Sequence, residues 1–252
     1  MSTVTTKEIT TPEPSETSPS RTLLVALGLL ALAGIASLSI PLGFSALFAA
    51  LGLAETTLLT AIVGVVATLS LGLLAVVYLR IRHVEIPIRR PSRRGWGWIV
   101  GGTILSLVAA VAFAILEGIF AIEMAPSSGS TLAAGASVFT VALAAAYFVL
   151  VIGPIEEYLF RGVVQGRLRQ SFNPVVAIGV TSVGFALTHA PNFWLAGAEV
   201  FSMGVLVALA SIAVASVIMG IIYERTANLT VVAVAHGLTN AVLFTLAVVL
   251  VA

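Results

Sequence analysis

No charged residue falls between Arg21 and Glu55, between Glu55 and Arg80, between Arg94 and Glu117, or between Glu123 and Glu156. Each of these runs exceeds the roughly 20 apolar residues that an α-helix needs to cross a bilayer. In hydrocarbon every backbone N–H and C=O must be satisfied within the protein, which leaves helices or a closed barrel. The runs are continuous rather than alternating, so the reading is all-α: a polytopic membrane helical bundle of about seven transmembrane helices. Only 9% of the 252 residues are charged and 59% are hydrophobic, whereas about a quarter of a soluble chain is charged.

The spans follow in order. Residues 1–22, rich in Ser, Thr, Pro and Glu, read as a disordered cytoplasmic tail. Residues 23–122 hold the N-terminal transmembrane helices, at 23–50, 57–79 and about 97–122, with a possible kink at Pro41. A Gly/Ser/Pro linker at 123–135 leads to a core over 136–252. There a fourth helix starts near 136, a fifth covers 175–190 and stops at Pro191, a sixth covers 199–223 and a seventh 229–251. Ser171-Phe172-Asn173-Pro174 reads as the turn between the fourth and fifth.

Orientation follows from the basic residues. All twelve Lys and Arg fall on one side of a seven-span arrangement, and the opposite loops near 51–56, 123–135 and 191–198 have none. The positive-inside rule then puts the N-terminus in the cytoplasm. The basic loop from Arg80 to Arg94, closed by Trp96 and Trp98, reads as a contact with anionic lipid headgroups rather than nucleic acid. His83 within it reads as solvated. With no cysteine and no aspartate, disulfides, thiolate nucleophiles and aspartyl dyads are excluded.

Against this background the polar residues inside the spans mark a functional site. Gly153-Pro-Ile-Glu156-Glu157-Tyr-Leu-Phe-Arg161 places two carboxylates and an arginine in the fourth helix. Glu157 and Arg161, at i and i+4, share a face and can pair, whereas Glu156 points roughly 140° away from Arg161. Glu157–Arg161 therefore reads as support and Glu156 as the free carboxylate. Phe185-Ala-Leu-Thr188-His189 ends the fifth helix, and His236-Gly-Leu-Thr239-Asn240 aligns a histidine and an amide on the seventh. Glu156 and His189 each lie about 16 residues from the turn near 172–173, so both sit some 20–25 Å along their helices. Glu117 reads as a structural carboxylate and Phe185 as packing.

A carboxylate, two histidines and an amide on three helices suit hydrolysis: a general base for water, a proton carrier, and donors for an oxyanion. His189, His236 and a glutamate could equally be three ligands of a zinc ion. Residue types alone leave both open, along with a non-catalytic immunity, transport or partner-binding protein that keeps the polar core. Repeated broken helices in both halves would favour transport, and the first half has no polar cluster.

These three motifs resemble those of the CPBP family, the CAAX-processing and bacteriocin-processing (Abi) intramembrane proteases: E-E-x-x-x-R at Glu156–Arg161, F-x-x-x-H at Phe185–His189 and H-x-x-x-N at His236–Asn240. The likeness covers about residues 145–245. It implies a catalytic set of Glu156, His189, His236 and Asn240, with Glu157 and Arg161 supporting. Glu156 would activate water, His189 would assist, and His236 with Asn240 would stabilise the oxyanion. It leaves the cofactor unknown, zinc on His189 and His236 being one option. The implied partners are membrane lipids and a peptide or protein C-terminal substrate, prenylated or not. The Ala/Val/Arg bias points to a prokaryotic plasma membrane.

Overall fold

A computed structural model describes residues 18–54, 56–126, 132–133 and 136–251. Most of the expected tail, and residues 127–131 and 134–135 of the expected linker, lie outside them. Eight helices organise the described chain: α1 Pro19–Ala50, α2 Thr57–Arg82, α3 Arg93–Ile119, α4 Val138–Leu168, α5 Pro174–Leu187, α6 Ala190–Leu195, α7 Met203–Thr226 and α8 Leu229–Val251. With α5 and α6 taken together as Pro174–Leu195, seven segments are long and apolar enough to cross a membrane. The described residues contain no strand.

Side-chain oxygens start several of these helices. Ser92 caps α3 through Gly95 N–H, Asn173 caps α5 through Val176 N–H, and Ser202 caps α7 through Val205 N–H, satisfying donors that the first turn leaves free. The Ser92 cap starts α3 at Arg93, before the expected 97. Likewise α1 begins at Pro19, whose ring suits a first turn, and runs unbroken through Pro41. At the other end of α2, His83 takes a left-handed conformation, φ 51°, and terminates the helix.

Leucine, isoleucine and valine lie largely on the outside. Leu24, Leu73, Ile119 and Leu150 are all more than 60% exposed, as expected where lipid rather than water meets the surface. Inside, one cluster joins α1, α2, α4 and α5 around Leu29, Leu71, Phe160 and Phe185. A second joins α3, α7 and α8 around Ile99, Ile222 and Val232. Tyr158 and Ile86 touch both clusters. Helix α8 packs against α3, α4 and α7 and is the most enclosed of the seven spans.

One end of the bundle gathers the helix ends that carry arginine. Thr22 Oγ1 lies 2.9 Å from Ser171 Oγ, tying the start of α1 to the α4–α5 turn. Asn228, in the α7–α8 turn, accepts from Arg89 N–H and donates to Arg89 C=O, at 3.2 and 3.1 Å. Leu229 N–H bonds Pro87 C=O at 2.9 Å. The basic loop is thereby stapled to the bundle.

Candidate functional site

The two glutamates sit on a helix whose hydrogen-bond register is altered on both sides. Within α4, Val138–Tyr147 is α-helical, Phe148–Ile152 is a π-helical turn, Gly153–Glu157 returns to α, and Tyr158–Gln165 is π-helical again. Pro154 gives the first turn a cause. It has no N–H to offer the i−4 carbonyl, and the wider register absorbs the missing bond, with Gly153 N–H reaching Phe148 C=O instead. Such π-segments recur at functional sites because they re-aim the side chains that follow.

A glycine pair then brings α4 against α8. A Cβ on Gly153 would stand 2.5 Å from Ala233 C=O and 3.0 Å from Gly237 N; one on Gly237 would stand 2.6 Å from Val149 Cα. Neither backbone could approach so closely with a side chain present. Gly153 precedes Glu156 by three residues and Gly237 follows His236 directly, so the contact that needs glycine also sets His236 beside both carboxylates.

His236 Nδ1 lies 2.8 Å from Glu157 Oε1. The carboxylate accepts, so Nδ1 carries the proton and Nε2 faces the other way, 3.6 Å from Glu156 Oε2. The second oxygen of Glu157 accepts from Arg161 Nε at 2.8 Å, with both side chains fully buried. Arg161 Nη2 in turn donates to Ser216 Oγ of α7, again at 2.8 Å, and its Cζ stands 5.8 Å from the centre of the Phe185 ring. A chain Ser216–Arg161–Glu157–His236–Glu156 thus crosses α7, α4 and α8. One turn further along both α4 and α7, Gln165 Nε2 donates to Gly220 C=O at 3.3 Å and to Glu224 Oε1 at 3.0 Å.

The break after α5 positions the second histidine. Helix α5 ends at Leu187, and Thr188 Oγ1 and His189 Nδ1 both reach Phe185 C=O, at 2.7 and 2.8 Å. A carbonyl only accepts, so His189 also holds its proton on Nδ1 and leaves Nε2 without a bond among the described residues. Pro191 does not stop this helix, contrary to the expectation from sequence. It stands in the first turn of α6, where a missing N–H costs nothing, and the chain breaks instead at Thr188–His189. The Phe185 ring stands near both histidines, 4.7 Å from His189 and 5.8 Å from His236, centre to centre, with Phe160 edge-on at 4.7 Å.

Of the residues singled out from sequence, Glu156, Glu157, Arg161 and His236 are in direct contact. His189 joins them through Phe185. Asn240, one turn beyond His236, is half-buried and makes no hydrogen bond with a described residue. Glu156 forms no ion pair with Arg161 and faces His236; Phe185 packs in the buried core, with its ring near both imidazoles. Ser216 was missed, being one of many serines in apolar helices that only the fold brings to Arg161. Among the described residues no three His or Glu side chains form a set that could hold a metal ion. The donors nearest one another are instead spent on each other: Glu157 holds both Arg161 and His236.

Fold and polar core together define the class: an integral membrane protein of seven apolar spans with a hydrogen-bonded polar network inside it. Residues 137–242, which run from the start of α4 into α8, match the family model described as Type II CAAX prenyl endopeptidase Rce1-like. The match is consistent with the CPBP resemblance of its motifs. The match supports a protease. No curated protein and no solved structure matched the chain.

Proposed function

We propose that the chain is an intramembrane endopeptidase of the CAAX-protease type, cleaving a peptide bond with water activated by Glu156. The observation that carries this reading is the placement of Glu156 Oε2 3.6 Å from His236 Nε2, at the end of a chain that already neutralises Glu157. Arg161 and His236 both serve Glu157, so Glu156 keeps its lone pairs for water.

In this mechanism Glu156 takes one proton from water while the hydroxide oxygen attacks the scissile carbonyl carbon. The carbonyl oxygen becomes an oxyanion. Asn240 supplies an N–H donor for it, and His236 supplies Nε2–H once that nitrogen is protonated. His189, with Nδ1 anchored on Phe185 C=O and Nε2 open, steadies the water or carries the proton. Collapse breaks the C–N bond, and the proton returns to the leaving amine. Glu157, Arg161 and Ser216 touch neither water nor substrate; they hold His236 in one orientation, as second-sphere partners do for imidazoles elsewhere.

The family's description supports a peptide or protein C-terminus, prenylated or not, as the substrate; the Ala/Val/Arg bias of the sequence supports a prokaryotic plasma membrane as its setting. Comparing membrane-associated peptide termini in cells expressing wild type and Glu156→Gln tests the activity. New C-termini that depend on Glu156 support it; identical sets of termini would favour a non-catalytic role. Activity of the purified protein is expected to survive exhaustive chelation. Loss on chelation, restored by zinc, would replace the carboxylate mechanism with a metal-bound water.

A further inference from the structure

Helices α3 and α7 leave an open groove of about 540 Å³ on the outside of the bundle, with no glutamate in its lining. Its floor on α3 is glycine. Gly97 and Gly101 line it, and a Cβ on either would meet nothing within 4 Å. Ile218 and Ile221 of α7 form the opposite wall. Gly97, Gly101 and Leu105 repeat every fourth residue, so the groove follows one face of α3. From Arg94 to Leu105 it extends about 16 Å along the helix at 1.5 Å per residue. That direction is the one an acyl chain takes in a bilayer.

The end of the groove is charged. Arg94, exposed in the first turn of α3, lines it beside the half-buried Trp98. Arg94 forms no ion pair with a described residue, and Arg90 and Arg93 stand close by in sequence. A comparable groove between α1 and α5 has no charged residue in its walls, so charge distinguishes the α3–α7 groove from a mere gap between helices. Tryptophan at that level marks the headgroup region.

We propose that the α3–α7 groove binds an anionic phospholipid, one acyl chain lying along Gly97 and Gly101 and the phosphate held by Arg94. The length of apolar wall behind the arginine selects a lipid over a free phosphate. The site is independent of the proposed chemistry, since none of its lining residues belongs to the Glu156 network.

Trp98 lies in the wall and can report occupancy. In full-length protein carrying Trp96→Phe and Trp194→Phe, Trp98 is the only tryptophan left. Reconstitution into phosphatidylcholine vesicles containing phosphatidylglycerol or phosphatidylcholine with brominated acyl chains then measures quenching at this site. Half-maximal quenching is expected at about fivefold less brominated phosphatidylglycerol than brominated phosphatidylcholine, the weight of one arginine near an anionic surface. Arg94→Gln should make the two lipids equivalent, and Gly101→Leu, which fills the groove, should reduce quenching by both. Thermal melting checks that the variants fold, and Gly97→Leu repeats the block if Gly101→Leu does not fold. Equal quenching by the two lipids in the unblocked protein, no effect of filling the groove, or loss of the preference in excess inorganic phosphate would each overturn the proposal.

Discussion

Glu157 answers to two partners at once, being pinned by Arg161 on one oxygen and by His236 on the other, with Ser216 holding the arginine behind it. Removing its charge strands Arg161 in a buried site where Arg161 Nη1 already lacks a partner. Glu157→Gln should therefore cost about 3–5 kcal/mol, read as a large fall in melting temperature in detergent. Glu156→Gln removes no ion pair with arginine and should melt close to wild type while abolishing turnover. A greater loss of stability for Glu156→Gln would reverse the two roles. Asn240→Ala should lower turnover by about 10²–10³, the cost of one oxyanion donor, with substrate affinity little changed. The Glu157–Arg161 contact was legible in sequence because four residues is one helical turn. Ser216 and the second bond of Glu157 were not, because helical spacing says nothing about which faces of separate helices meet.

At the scale of the element, α4 is defined by what interrupts it. Pro154 and the two π-segments shift the register around the glutamates, and Gly153 lets α8 come within backbone contact. Gly237→Ala would drive a methyl group into Val149 and Phe148 backbone. It should separate α4 from α8, destabilise the protein by about 1–3 kcal/mol as overpacking does, and cut activity far more than that loss explains. Gly101→Ala, where the added methyl meets open space, is the matched control and should be neutral in a melting assay. Equal activities for the two variants would detach the glycine contact from the site. The sequence pattern showed a Gly-Pro pair before the glutamates but not the π-turn, since apolar periodicity has no marker for a one-residue change of register. Pro191 misled for a related reason: proline starts a helix as readily as it stops one, and only the Phe185 carbonyl, claimed by both Thr188 and His189, shows where α5 ends.

For the whole molecule, seven spans could be counted from runs without charge because the bilayer sets their length. Their packing order could not, since the outward faces are as apolar as the inward ones. The side-by-side placement of α3, α4, α7 and α8 emerges only from fitting small residues together, as at Gly102 against Ile222 and Gly153 against Ala233. Arginines flank the end that joins α1, the 83–92 loop and the α7–α8 turn, and the positive-inside rule predicts a cytoplasmic location for that end. Cysteine at Leu53 should react with an impermeant reagent from outside intact cells and cysteine at Arg90 should not; the opposite pattern would invert the topology. The central claim, that Glu156 delivers water to a peptide bond, has a direct test. Purified full-length protein in lipid vesicles is incubated with membrane peptides in heavy-oxygen water, and the products are weighed. Cleaved peptides with heavy oxygen in their new carboxylates, made by wild type and absent with folded Glu156→Gln, are the predicted result. Equal cleavage by the folded Glu156→Gln protein would contradict it.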